Sequence, residues 1–393
     1  MNSSMNTHDA AGEDLIRIRA TRSGGVITKV TIDLPQRAWM GSSVIGLTPE
    51  AAGNLLLEQA SHSPRAHACA VCLAAAAAEG KPAPAPDSLI ATERTLAAEA
   101  ADSHLRRLLI DWPPYFGFEP RYSHFAEFHR RLTLNTDTSA EAAFALGGEI
   151  LDLVAREMLA GFFNQIRMPH GIGEFIERLN AGGSLGTVLG ELIALGASAP
   201  PKPRPVPLLG TLSAAAWANE IGAWPSADFV ARPTYHGEAA ETGPLARHAA
   251  SPLVRLLLER GHRLSARLFA KAIEVGDCAS RMRYPFTDDV APLADAAQAE
   301  PGIGVARVET ARGVLLAWVR VADGVIADCG MIPAGAWNFH PEGAFCREAL
   351  CATLVPEDHD GALRRVSMLA VACDPSLPYR VEVHEAQRAR KPA

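Results

Sequence analysis

Two chemically marked stretches stand at opposite ends of the chain, and a fold that uses both has to bring those ends together. The first is His67-Ala68-Cys69-Ala70-Val71-Cys72, two thiols three residues apart ahead of an alanine run from Ala74 to Ala78. A Cys-x-x-Cys pair where a loop enters a helix directs both sulfurs at one ion, and the positive end of the helix favours the thiolate. Two buried, inert cysteines are the plain alternative, because a free Cys packs as a small apolar side chain. The second stretch is Cys373-Asp374-Pro375-Ser376, with His384 beyond it. Used together, the two stretches require one closed unit whose middle serves to join its ends.

With 393 residues, 48% of them hydrophobic, the chain buries a large core. The net charge of −7 comes from acidic and basic residues that are interspersed, so no basic face for nucleic acid is offered. Met1 to Glu13 is polar, and no apolar run is long enough to cross a bilayer, which points to the cytoplasm. Seven cysteines at irregular spacing argue against a secreted disulfide framework. Cys278, Cys329, Cys346 and Cys351 show no ligand spacing and read as packing residues.

Length alone would allow two or three domains, but the need for the two marked ends to meet leads us to expect one unit over residues 14–385 between short tails, 1–13 and 386–393. Leu15 to Leu34 alternates around Ser23-Gly24-Gly25 and predicts a β-hairpin. Thr48-Pro49-Glu50 opens a helix, and after the cysteine pair a helix stops at Gly80. Helical spacing recurs over Ser88 to Leu109, Ala140 to Phe163, Ile172 to Leu179, Ser184 to Leu195 and Pro252 to Val275. Pro200 to Pro207 is a proline-rich crossing. From Ile303 to Ile332 the period changes to two, with Asp323-Gly324 as a hairpin turn. The expectation is a helix-dominated α+β fold with small sheets from both chain ends, the N-terminal hairpin lying near the Ile303 to Ile332 strands.

Short segments then appear in a definite order: Glu241-Thr242-Gly243-Pro244-Leu245-Ala246-Arg247, Ala311-Arg312-Gly313, and Trp337-Asn338-Phe339-His340-Pro341. This order resembles the large subunit of nickel–iron hydrogenases, over most of the chain and most densely in its final half. That family holds nickel and iron on four thiolates, from an Arg-x-Cys-Gly-x-Cys-x-x-x-His loop and a C-terminal Asp-Pro-Cys-x-x-Cys-x-x-His loop. Read on that pattern, Cys69 and Cys72 keep the first pair, with His67 in place of the Arg and Ala76 in place of the His. At the C-terminal loop, Ser376 and Tyr379 occupy both cysteine positions, and Cys373 stands one residue early. Two thiolates and a third nearby do not make a four-thiolate binuclear centre.

The departures resemble the large-subunit-like accessory proteins of hydrogenase maturation, the HupK/HoxV type. That resemblance implies a non-catalytic scaffold that carries iron as an Fe(CN)2CO unit, without nickel, and passes it to a hydrogenase large subunit. Its expected partners are maturation factors of the iron-delivery complex and the large subunit itself, with neither nucleic acid nor membrane involved. The expected metal ligands are Cys69, Cys72 and Cys373, with Arg312, His67 and Asp374 lining the pocket and Arg312 aimed at a cyanide. A salt bridge to Glu309 or another carboxylate is the structural alternative for Arg312. The family's large-subunit precursors carry a longer C-terminal tail, which a chain ending at Ala393 is expected to lack. The competing functions are a metal-free docking protein and a remnant redox enzyme, the latter without a hydrolase triad or nucleotide fingerprint to support it.

Overall fold

The computed structural model describes residues 15–34, 40–134, 139–164, 167–196, 205–286, 290–352, 354–355 and 358–386. The expected N-terminal tail, nearly all of the C-terminal one, and most of the proline-rich crossing lie outside the described residues. Strands β1 (Ile16–Ser23) and β2 (Val26–Asp33) form the hairpin that the alternation predicts. Three helices follow, α1 (Pro49–Gln59), α2 (Pro64–Ala78) and α3 (Pro86–Arg106), each with Pro in its first turn, where no intrahelical N–H is needed. Thr48 caps α1 by accepting from the Ala51 amide at 3.3 Å.

The helical middle comprises α4 (Tyr122–Leu134), α5 (Ala140–Asp152), α6 (Ile172–Leu179), α7 (Ser184–Ala194), α8 (Ala214–Ile221), α9 (Ala227–Ala231), α10 (Pro244–Arg247), α11 (Pro252–Glu259) and α12 (Arg263–Arg283). Strands β3 (Ala294–Glu300), β4 (Ile303–Thr310), β5 (Gly313–Ala322) and β6 (Val325–Ile332) come next. Helices α13 (Ala334–Asn338), α14 (Ala344–Leu350) and α15 (His359–Cys373) lead to β7 (Tyr379–Glu385). No helix among the described residues is long and apolar enough to cross a membrane.

Two sheets organise these elements. One has the order β3-β4-β5-β6 and is antiparallel throughout, with Asp323 and Gly324 both at positive φ in the β5–β6 turn. The other has the order β2-β1-β7, in which β1 pairs parallel with β7 from Ile16↔Tyr379 to Arg22↔Glu385. The two chain ends therefore meet as strands of one sheet. The hairpin packs on α14 rather than on the central sheet. It is the segment after it that reaches β6, where Gly46 and Leu47 exchange backbone hydrogen bonds of 2.8 Å with Ile326.

The β4 residues are buried on both faces, against the half-burial that alternation alone implies. One face carries Trp318, Trp217 and Trp337 in a second apolar cluster. On the other lies α2, so close that a Cβ on Gly304 would sit 1.9 Å from the Ala74 carbonyl oxygen. The alanine run supplies the flat surface that this approach needs. Helix α12 is the central post, buried continuously from Leu264 to Ala272 and packed on α3, α5 and α15. Three expected helices are interrupted. Gly261, at φ +79°, separates α11 from α12, and π-helical turns, Arg107–Asp111 and Leu153–Met158, follow α3 and α5.

Candidate functional site

Asp374 follows the last turn of α15 in a left-handed conformation, φ 61°, and its carboxylate turns inward. Arg107 opens a π-helical turn, Arg107–Asp111, and donates to Asp374 Oδ1 at 2.7 Å, to Asp111 Oδ2 at 2.6 Å and to the Pro375 carbonyl at 2.9 Å. Lys271 of α12 donates to Asp374 Oδ2. Arg312 completes the group with Nε 3.6 Å from Asp374 Oδ1. All of these side chains are withdrawn from water. Burial alone would raise the Asp374 pKa, but the three cations together hold it far below the carboxylate range.

The β4–β5 turn presents Arg312 rigidly. Thr310 Oγ1 accepts from the Arg312 amide at 3.2 Å and donates to the Gly313 carbonyl at 2.8 Å. Asn338 donates to the carbonyls of Arg312 (3.3 Å) and Cys373 (3.4 Å) and accepts from the Thr242 amide at 3.0 Å. Gly243 lies against the Arg312 carbonyl, where a Cβ would be 2.8 Å away. One amide side chain thus joins all three segments around the site. The structural alternative for Arg312, a salt bridge to Glu309 or another carboxylate, is formed with Asp374 at 3.6 Å, while Glu309 is held by Arg247 at 2.5 Å.

The far side of Arg312 faces the start of α2. Its two Nη atoms lie 3.5 Å from Ser63 Oγ and 3.5 Å from His62 Nδ1, at the long limit of hydrogen bonding, and its Nε has no hydrogen-bond partner among the described residues. Ser63 sits at the N-cap in a left-handed conformation, φ 49°, and its hydroxyl caps nothing. His67, one turn on, bonds the Ser63 carbonyl through Nδ1 at 2.8 Å. Burial, aided by Arg312 and Arg107, lowers the His62 pKa to about 3; burial and Arg312 also lower that of His67. Both imidazoles are neutral beside the guanidinium. Between Arg312, Asp374, Cys373, Lys271, Thr242 and Asn338 remains a cavity of about 10 Å³, room for one water.

Of the sequence-predicted residues, His67, Arg312 and Asp374 meet at this corner. Cys69 and Cys72 do not join them. At 100° per residue they share the face of α2 opposite His67, Val71, Ala74 and Ala78. Cys72 points at α1, with Sγ 3.5 Å from the Pro49 carbonyl and so close to Gly53 that a Cβ there would be 2.8 Å away. Nor do the thiols stand where a loop enters a helix; α2 begins at Pro64, and its N-terminal amides at Arg65 and Ala66 are taken by Glu99. Burial pushes Cys69 up to about 12 rather than down. Cys373 is likewise pushed up to about 12 by burial, beside the Arg267–Glu241–Glu348 ion network. Among the described residues no three His, Cys, Asp or Glu side chains converge on one metal position.

A Ser-x-x-x-His spacing, Ser63 to His67, lies on the stretch of α2 that faces Arg312, where the sequence alone had singled out only His67. Arg107 and Lys271, which carry most of the contact to Asp374, had no signal in the sequence, since neither sits in a motif.

The fold is that of the nickel–iron hydrogenase large subunits. The chain aligns with the Ni-Fe-Se hydrogenase from D. vulgaris Hildenborough in the reduced state at a TM-score of 0.61 and 16% identity, covering 90% of this chain and 94% of that one. With the reduced, active Ni-Fe-Se hydrogenase from Desulfomicrobium baculatum the values are 0.60 and 16%, covering 91% and 95%. In sequence it resembles hydrogenase expression/formation proteins. It is 29% identical to HoxV of Cupriavidus necator over 357 residues, 87% of this chain and 89% of that protein. It is 33% identical to HupK of Rhizobium leguminosarum bv. viciae over 164 residues, 42% and 43% of the two chains. No protein-family model matches the chain.

Proposed function

We propose that this chain acts in hydrogenase maturation as a large-subunit-like scaffold in the cytoplasm, handling iron as an Fe(CN)2CO unit and turning over no hydrogen. The iron unit is cargo, received from maturation factors and passed to a large subunit; nickel has no place in it. The observation that carries this reading is the corner of Arg312, Asp374, Ser63 and His67, where both ends of the chain meet around a fixed guanidinium with spare donors. A cyanide nitrogen on iron accepts hydrogen bonds, and a buried guanidinium is the strongest neutral-pH donor for it. The resemblance to hydrogenase expression/formation proteins agrees with the role.

Purification from cells that mature a hydrogenase tests it. The protein should carry iron together with infrared bands of bound cyanide and carbonyl, and Arg312→Ala should shift or weaken those bands. A second reading, docking without metal, is favoured by the lack of three convergent ligands among the described residues. It holds if the protein isolates with maturation partners, and rescues a deletion strain, while no bands are found.

A further inference from the structure

Helix α12 ends at Arg283, packed along its length on α5. Gly147 of α5 makes the close approach possible, since a Cβ there would lie 2.6 Å from the Ala279 carbonyl oxygen and 2.8 Å from Arg283 Cγ. The arginine stem therefore lies flat on α5, and its guanidinium comes to rest over the Phe144 ring, 4.2 Å from the centroid. Tyr284 stands 5.5 Å from the same guanidinium and packs edge-to-face on Phe144 at 5.7 Å.

These rings face water. Phe144 is 41% exposed, Tyr284 57%, and Phe286, two residues on, 47%. Three of the six exposed Phe, Tyr and Trp side chains among the described residues thus gather in one small patch. Exposed rings forgo the burial that drives folding, so a cluster of them marks a surface that something else covers.

Arg283 itself has no acceptor. Its Nε is buried and unpartnered, and no carboxylate or carbonyl among the described residues bonds its Nη atoms. The neighbouring arginines differ: Arg281 is held by Glu93 and the Ala291 carbonyl, and Arg94 donates to the Met282 carbonyl at 3.2 Å. Glu141, one turn before Phe144, is exposed and forms no ion pair with Arg283. The cation–π contact holds the guanidinium in place but supplies no hydrogen-bond acceptor. A fixed arginine ringed by aromatic side chains has the composition of an interface hot spot. Its complement is a carboxylate set among apolar side chains.

We infer that the end of α12 and the adjoining face of α5 form a docking surface for a partner protein. The partner seats a carboxylate on Arg283 and an apolar side chain against Phe144, Tyr284 and Phe286. A second copy of this chain does not fit, because across a two-fold axis on the patch Arg283 would meet its own positive charge. Lys271 lies twelve residues earlier on α12, about 18 Å along the helix. The partner therefore docks without covering the buried corner.

The test uses the full chain in cells that make it, with p-benzoylphenylalanine in place of Phe286. Irradiation should join it to one protein, and mass spectrometry should place the bond in a segment where Glu or Asp stands among apolar residues. The two purified proteins are then titrated by calorimetry. Arg283→Gln, whose stem still lies on Gly147, should weaken binding about tenfold, the loss of one charge-assisted hydrogen bond. Arg283→Glu should weaken it further. Changing the partner's carboxylate to Lys should restore binding to Arg283→Glu and weaken it to wild type, a reversal that a misfolded variant cannot show. The inference is overturned by the absence of a cross-linked protein, by a joined segment without a carboxylate, or by a second copy of this chain as the product. Binding unchanged in Arg283→Gln, or not restored by the charge exchange, overturns it equally.

Discussion

Arg107 and Asp374 meet at 2.7 Å across 267 residues of sequence. The contact ties the helix system of the first quarter of the chain to the turn that ends its last helix. Because Arg107 also holds Asp111 and the Pro375 carbonyl, one guanidinium fixes both the π-helical turn and the path of the chain into β7. Everything else at the corner is arranged around that pin.

Removing the carboxylate should be costly. In Asp374→Ala, Lys271, Arg107 and Arg312 remain buried with one carboxylate, Asp111, among them, and stranding a buried charge costs about 3–5 kcal/mol. Urea denaturation should show that loss as a lower midpoint at unchanged slope. Arg107→Ala should cost less, since Lys271 still neutralises Asp374. The reverse order would mean that Arg107 acts chiefly on the π-helical turn.

The pH dependence follows from the imidazoles. His62 titrates near 3 when folded and near 6.5 when unfolded, because burial and then Arg312 disfavour its charge. The unfolded chain binds the extra proton between those values, so stability falls as pH drops through that window, by up to about 1.4 kcal/mol per pH unit. His67 adds in the same direction. The depressed Asp374 contributes stability that is present above the unfolded carboxylate range and lost only as pH falls through its lower folded value. His62→Gln should therefore flatten the unfolding free energy between pH 6.5 and 4, measured by urea titration.

Two glycines predict different outcomes for the same substitution. Gly304→Ala drives a methyl against the Ala74 carbonyl and the Ala78 amide, both backbone, at 1.9 and 2.6 Å. With no side chain able to yield, β4 and α2 must part, and the cost should exceed the roughly 1–3 kcal/mol of ordinary overpacking. Gly53→Ala meets only Cys72 Sγ, which can rotate, so its cost should stay within that range. Thermal unfolding of both variants checks the order.

In cells, Arg312→Lys should lower hydrogenase activity while leaving this protein as stable as wild type to about 1 kcal/mol. Lysine keeps the charge toward Asp374 but loses the planar fork that reaches Ser63 and His62. Activity equal to wild type would assign Arg312 a charge role alone.

The elements were readable because their signals are local. Proline at helix starts, the Asp323-Gly324 turn and the alternation of Ile303 to Ile332 each act within a few residues. The single helix expected over Pro252 to Val275 failed at Gly261, whose positive φ is a property of the turn rather than of the surrounding period. The site was legible only in part. Arg312 and Asp374 carried the resemblance, but the cysteine spacing could not say which face of α2 it lay on. Ser63 carries no signal of its own, because a serine before a proline is commonplace. Lys271 and Arg107 reach Asp374 across 103 and 267 residues, and no sequence period reports such distances.

The parallel pairing of β1 with β7 sets a time on this site as well as a place. A ribosome adds about 5–20 residues per second, so the first strand waits tens of seconds for its partner at Tyr379–Glu385. During synthesis, helices form and dock, but Asp374 has not been made, and Arg107, Lys271 and Arg312 face one another without it. The corner comes into being only once Asp374 and the strand after it have been made. A ribosome that stalls before Asp374 therefore releases a chain in which Arg107, Lys271 and Arg312 lack their shared carboxylate and β1 lacks its parallel partner.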